Sequence, residues 1–287
     1  MADTYLKLKT RLNICPSCIK IRMMVCEGRG PPRSPRRRPR IEFYLDRFRL
    51  LKTLIVIPTF FERENLSTLL PDLLSSVAGA DLLIVDDGSS DGTQELLTEL
   101  SAFDPRVHSL IRDQKQGLGR AYLAGFAWAV ERDYEYVVQM DADHSHRTAD
   151  LTNLLAQRGR ADFIIGSRRV RGGGVRNWGS HRRFLSWAGN LYTRFFLGHR
   201  VADWTGGFNV WNIRVLKALL TDDILSQGFI FQVELKYRAL KLNFSAIEVP
   251  IIFEERREGH SKMSFRIIAE ALTQVWRLGS RLSHLSQ

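Results

Sequence analysis

From Lys52 onward the chain alternates between short apolar, β-branched runs and longer stretches whose apolar positions recur every three to four residues. Thr53–Ile57 (TLIVI) reads as a strand, followed by PTFFEREN and a helix through Leu66, Leu69, Leu70, Leu73 and Leu74. Leu82–Val85 is a second strand, and Asp91–Leu100 a short helix opened by a Ser-Ser-Asp-Gly turn. Val107–Ile111 is a third strand. Gly117-Leu-Gly119 leads into a helix carrying Ala121, Leu123, Ala124, Phe126, Ala127 and Val130. A fourth strand (Tyr136, Val137, Val138, Met140) ends at Asp141-Ala-Asp143, and Asp162–Gly166 (DFIIG) is a fifth. This alternation predicts an α/β fold, a Rossmann-like, mostly parallel central sheet with helices on both faces.

The later half reads differently. Gly172–Gly174, with Arg168, Arg169, Arg171 and Arg176, reads as a mobile basic loop. Phe184–Leu197 is apolar and aromatic, and helical spacing puts Phe184, Trp187, Ala188, Leu191, Tyr192 and Phe195 on one face. That face suits either an ordinary core helix or a helix lying in a membrane interface. Phe265–Leu282 is a second amphipathic candidate for a bilayer surface. Both fall short of the ~20 apolar residues that a spanning helix needs.

The chain has 287 residues, 44% of them hydrophobic, enough for a full core. Its formal charge of +11 is unevenly placed: residues 1–51 carry +9 and the remaining 236 only +2. The basic character therefore belongs to a tail, and a nucleic-acid-binding face on the folded part is not expected. Cys15, Cys18 and Cys26 all lie in that tail. Cys15-Pro-Ser-Cys18 has the spacing of half a zinc site, but no second pair follows. The absence of cysteine from the rest fits a reducing, cytoplasmic compartment. Residues 28–40 are Pro/Arg-rich and read as disordered. The tail reads as an arm for anionic lipid or nucleic acid, as a targeting segment, or as a misassigned start with translation from Met23, Met24 or further downstream. The abrupt onset of the pattern at Lys52 favours the last, which leaves 52–287 as the folded domain.

Two acidic strand ends carry the chemistry. In open α/β sheets ligands bind outside the carboxyl ends of the strands. Asp141-Ala-Asp143 there offers two hard oxygen ligands, suited to Mg²⁺ or Mn²⁺ bridging a diphosphate. A second acidic end, VDDGSSDGT, lies about fifty residues upstream. A carboxylate at Asp87 can accept the N–H donors of guanine or uracil; Asp86 orients the loop or serves as a turn residue. His144 and His146 raise a zinc reading, which an oxygen-rich diphosphate site disfavours.

IPTFFERENL, VDDGSSDGT, GLGRAYLAGF, MDADHSH, GSRRVRGGG, DWTGGFNVWN, GFIFQVEL and FEERREGHSKM follow in one order over Lys52–Arg281. This series resembles the dolichol-phosphate (polyprenol-phosphate) mannosyltransferases, a branch of the family 2 glycosyltransferases with the GT-A fold. The opening motifs are shared across family 2, whereas DWTGGFNVW and FEERREGHSKM are narrower. The resemblance implies that Pro58, Phe60, Glu62, Val85 and Asp87 hold the nucleotide. Phe60 stands where the family has Tyr, so a hydroxyl is lost there. It further implies that Asp141, Ala142 and Asp143 serve the metal and donor phosphate, with Ser145 as a further metal ligand. Arg168, Arg256 and Lys262 match the family's cationic clamp on donor and acceptor phosphates, and Arg171 and Arg176 are weaker candidates for the acceptor phosphate.

The activity implied is inverting transfer of mannose from GDP-mannose to a polyprenyl (dolichyl-type) phosphate, with Mg²⁺ or Mn²⁺ as cofactor. Such an acceptor is already anionic, so no general base is needed, and Asp141, Asp143, Arg168 and Arg256 act by positioning and charge. The expected setting is peripheral, at the cytoplasmic face of a membrane, with a separate integral-membrane partner subunit. Two rivals compete: a polyprenyl-phosphate glucosyltransferase using UDP-glucose, and a non-catalytic, basic-armed membrane- or RNA-binding adaptor. A Rossmann dehydrogenase is disfavoured, because PTFFE rather than a glycine-rich turn follows the first strand.

Overall fold

The computed structural model describes residues 51–254, apart from 78, 199, 223, 225, 227 and 229, together with 265–281, where side chains are described for 272–280. The basic tail and the segment holding Arg256 and Lys262 lie outside the described residues. Strands β1 (Thr53–Thr59), β2 (Ala80–Asp86), β3 (Val107–Ile111), β4 (Tyr136–Gln139), β5 (Phe163–Ser167), β7 (Asn209–Asn212) and β8 (Ala246–Pro250) form one sheet in the order β3-β2-β1-β4-β7-β5-β8. β7 runs antiparallel to both neighbours, and every other pairing is parallel. The chain moves outward from β1 to β3 and then returns to β1's other side as β4. That reversal opens the crevice in which such sheets bind ligands.

Both faces are covered, which explains the unbroken apolar run of β1. Leu54 and Val56 pack with Tyr122 and Phe126 of α3 (Leu118–Val130); Ile55 and Ile57 pack with leucines of α1 (Arg63–Ser76), α2 (Thr93–Phe103) and α4 (Thr148–Leu155). The fit of α3 on the sheet is close. A Cβ at Gly125 would stand 2.5 Å from Val56 Cγ1 and 3.2 Å from Val85 Cγ2.

The α/β architecture expected from the alternation is present, with elements beyond those the periodicity gives: α4, β7, α6 (Ile213–Leu219), α7 (Ile230–Lys241) and β8. The stretch read as a mobile loop is instead pinned. Gly174–Val175 (β6) pairs in parallel with Ile252–Phe253 (β9), and Arg176 N–H donates to the Phe253 carbonyl at 2.8 Å. The pairing partner lies some eighty residues away, beyond the reach of local pattern.

Helix α5 (Ser180–Leu197) is inside out. Its buried residues are Asn190 and Thr193, while Phe184, Trp187, Leu191 and Phe195 are exposed, Phe195 by 77%. It is not an ordinary core helix. Helix α8 (Phe265–Arg281) packs along it and also touches α7, with Tyr192 Oη donating to the Leu272 carbonyl at 3.0 Å and Trp276 exposed. The described residues hold no helix long and apolar enough to cross a membrane.

Candidate active site

Two loops flank the crevice where β1 ends between β2 and β4. On the β2 side, Asp86 is fully buried: its carboxylate accepts from the Ser89 N–H at 2.9 Å, the Ser89 hydroxyl at 2.5 Å and Gln94 Nε2 at 3.2 Å. Asp86 therefore orients the loop, and Asp87 is left to face the crevice rim. Arg112 pairs with Asp87 at 2.8 Å, and the Gln116 N–H donates to it at 3.3 Å. Phe60 carries the Lys115 ammonium 3.9 Å above its ring and touches Phe61. Glu62 accepts from Asn65 Nδ2 at 2.6 Å. Pro58 and Val85 stand side by side in the sheet register, both buried. The Val85 side chain belongs to the core under α3, so only its backbone is available at the strand end. Asp91 accepts from the Thr93 N–H and hydroxyl at the start of α2: slight burial opposes its charge, but the hydrogen bonds from Thr93 and the Arg63 N–H outweigh it and lower its pKa.

On the β4 side, the loop DADHSH is held by its own histidines. His146 Nδ1 accepts the Asp141 N–H at 3.1 Å, and its ring stacks 4.5 Å from Phe208 and meets Phe253 edge-on. Burial keeps His146 below its ordinary pKa despite Asp141 and Asp143 nearby. His144, at φ +59°, turns back to Thr68 Oγ1 at 2.9 Å and the Asn65 carbonyl at 3.2 Å. Both histidines thus shape the loop. Tyr122 donates to Asp141 Oδ1 at 2.9 Å; burial, then the Asp141 charge, raises the phenol's pKa well above its usual range.

Ala142 is buried in the core, and Asp143 and Ser145 are buried beside it. Asp143 Oδ1 accepts the Ser145 N–H at 3.1 Å, and the Ser145 hydroxyl is completely buried with no hydrogen-bond partner among the described residues. A buried hydroxyl without a partner is costly and calls for one. With the carboxylates of Asp141 and Asp143 it makes an all-oxygen donor set, whose chemistry fits Mg²⁺ or Mn²⁺.

Arg168 is not the free cation that a clamp suggests. Its Nε and one terminal nitrogen grip Asp203 at 2.7 and 2.8 Å, and the same terminal nitrogen reaches Thr205 at 2.8 Å. The partner lies 35 residues away on a different connection, which local sequence does not reveal. Lys236 of α7 was missed altogether. Its buried ammonium donates to the carbonyls of Asp203, Trp204 and Gly206 at 3.0, 3.1 and 2.7 Å. Burial pushes Lys236 down to about 8, with Asp203 opposing the fall. Burial would lift Asp203, but Arg168 and then Lys236 outweigh it and hold the carboxyl far below its ordinary value. Glu248 of β8 accepts the backbone N–H groups of Ala202 and Asp203, and Asn190 of α5 accepts that of Trp204. This network fixes the DWTGG loop, and with it Gly207, against Asp141. Arg176 lies 3.7 Å from Glu254, and Arg171 is exposed. A buried lysine inside GFIFQVELKY, a run otherwise rich in apolar residues, was the available signal.

The profile of glycosyl transferase family 2 matches residues 54–225. The chain is 45% identical over 229 residues to an undecaprenyl-phosphate mannosyltransferase of Micrococcus luteus, covering 80% of this chain and 94% of the relative. It is 46% identical over 235 residues to a polyprenol monophosphomannose synthase of Mycolicibacterium smegmatis, covering 80% and 89%. Among solved structures, glucosyl-3-phosphoglycerate synthase of Mycobacterium tuberculosis with Mn²⁺, UDP and glucosyl-3-phosphoglycerate superposes with a TM-score of 0.56 at 17% identity, covering 86% of each chain. A mannosyltransferase of Pyrobaculum calidifontis in complex with GDP-Man and Mn²⁺ superposes at 0.50 and 14% identity, covering 84% and 81%. These structures share the GT-A fold seen here. The chain belongs to glycosyl transferase family 2, in its polyprenol-phosphate mannosyltransferase branch.

Proposed function

We propose that the protein transfers mannose from GDP-mannose to a polyprenyl (dolichyl-type) monophosphate, with inversion at the anomeric carbon. The observation that carries this reading is the oxygen set of half-buried Asp141 with buried Asp143 and Ser145 on one loop, in a chain aligned along most of two polyprenol-phosphate mannosyl enzymes. Asp87 accepts the base's N–H donors, Phe60 offers a ring face, and Lys115 neutralises phosphate charge. Asp141, Asp143 and Ser145 would hold Mg²⁺ or Mn²⁺, which when bound neutralises the leaving diphosphate. The acceptor phosphate is an anion and attacks without a general base, so the residues act by alignment and charge. Arg168, fixed by Asp203, sets the floor of the acceptor side; Arg256 and Lys262 are assigned to the two phosphates. The exposed aromatic face of α5 and α8 brings the site to the membrane surface, taken as the cytoplasmic face, where nucleotide sugars are available.

The test is transfer of radiolabel from GDP-mannose to a short polyprenyl phosphate in detergent with Mg²⁺ or Mn²⁺. The expected result is metal-dependent label in the organic phase, reduced by about 10²- to 10³-fold in Asp143→Asn. Transfer from UDP-glucose but not GDP-mannose overturns the donor and keeps the reaction class.

A further inference from the structure

A chain of side-chain amides runs beneath the catalytic carboxylates, and its polarity is fixed from one end. The Trp211 indole can only donate, and its Nε1 lies 3.2 Å from Gln139 Oε1. That oxygen also accepts from Asn209 Nδ2 at 3.1 Å, and the same nitrogen donates to Gln232 Oε1 at 3.4 Å. Asn209 Nδ2 shares its second hydrogen between Gln232 Oε1 and the Gly206 carbonyl, also at 3.4 Å, and this arrangement places the Gln232 N–H₂ group on the other side. It points to Gly207. A Cβ placed on Gly207 would stand 3.4 Å from Gln232 Nε2 and 4.0 Å from Asp141 Oδ2. Glycine at 207 therefore keeps open a small space between an amide donor and a carboxylate acceptor. Tyr122 holds the other Asp141 oxygen at 2.9 Å, which leaves Oδ2 on the side of that space. Gln232 is 3% exposed, and among the described residues no group accepts a hydrogen bond from its nitrogen.

Unlike Gln139 Nε2, which is fully enclosed, Gln232 Nε2 opens onto this space and can donate to a ligand there. A hydroxyl both donates and accepts, so it satisfies the carboxylate and the amide together. We infer that Gln232 is a specificity-determining residue, whose amide N–H receives one hydroxyl of the donor's hexose in the space kept open by Gly207. The inference rests on the mannosyl-transfer reading and deepens it. It assigns a residue on α7, some ninety positions after Asp141, to recognition of the sugar and not of the nucleotide.

The experiment compares kcat/KM for GDP-mannose with that for its 2-, 3-, 4- and 6-deoxy analogues in wild type and in Gln232→Met, with inhibition by GDP measured alongside. In wild type, loss of the contacted hydroxyl is expected to lower kcat/KM by about 10- to 100-fold. In Gln232→Met that one penalty should collapse to near unity, with the other deoxy penalties and GDP inhibition unchanged. A variant that keeps all four wild-type penalties overturns the assignment, as does a uniform fall for every donor. Gly207→Ala is the second arm, because it fills the space while leaving the amide chain intact. It should lower kcat/KM for GDP-mannose at least tenfold without changing GDP inhibition, and unaltered turnover with GDP-mannose overturns the subsite. Absence of any mannosyl transfer by wild type overturns the transfer reading itself, whereas transfer with unchanged penalties overturns this assignment alone.

Discussion

Arg168 and Asp203 form an ion pair whose side chains are 8% and 0% exposed, at 2.7 Å. Removing one partner of such a pair strands the other charge in a region where water does not reach it. Asp203→Asn is expected to lower unfolding free energy by about 3 kcal/mol, read from urea titrations at pH 7. The pH dependence has a definite sign. Because the folded carboxyl sits below its ordinary 3.8, its contribution is complete above that value and disappears as pH falls further toward the folded pKa. Wild type should lose stability steeply below about pH 4, and Asp203→Asn should show a shallower acid limb in thermal melts. Ser145 allows a different prediction. Its hydroxyl has no partner among the described residues, so Ser145→Ala should leave the melting temperature within a degree or two and weaken Mn²⁺ binding about tenfold in calorimetric titration. Both residues show what sequence conveys at this scale. Asp143 and Ser145 are legible together because they lie on one short loop. Arg168 is legible as a cation but not in its pairing, because Asp203 reaches it only through the sheet.

At the scale of elements, the parallel core was legible because a strand covered on both faces has to be apolar at every position, and Thr53–Thr59 is buried throughout. β7 was not. Asn209 and Asn212 flank two apolar residues, and the strand exists because β4 and β5 accept it between them in antiparallel register. Its buried Asn209 spends its amide on Gln139 and Gln232. The helix–sheet contact yields a prediction of its own. Gly125→Ala gains about 1 kcal/mol of helix propensity, but its methyl group meets Val56 at 2.5 Å. Such overpacking costs about 1–3 kcal/mol, so the net expectation is a loss of about 0–2 kcal/mol in denaturant unfolding. A stabilised Gly125→Ala protein would show that α3 shifts freely over β1 and β2.

For the molecule as a whole, the question is what faces the exposed side of α5 and α8. The sequence pattern finds the aromatic stripe but not its direction, since Phe184, Trp187, Leu191 and Phe195 would make an equally regular buried face. The direction is set by Asn190 and Thr193. Asn190 is committed to the Trp204 N–H and Thr205, so the polar side of α5 points inward and the aromatic side outward. An outward aromatic stripe with exposed Arg183 on the same helix matches a lipid surface. It also joins the membrane question to the site, because the helix that carries the stripe also holds the DWTGG loop. Trp187→Glu and Trp276→Glu, at positions 51% and 56% exposed, should each reduce flotation with anionic vesicles about tenfold while leaving stability unchanged. Turnover of a long-chain polyprenyl phosphate embedded in vesicles should fall in parallel. Turnover of a short-chain acceptor in detergent should not, since both tryptophans are exposed whereas Asp143 is buried. Vesicle binding at the wild-type level in both variants would mean that the stripe is covered by protein, and that the acceptor reaches the site by another face.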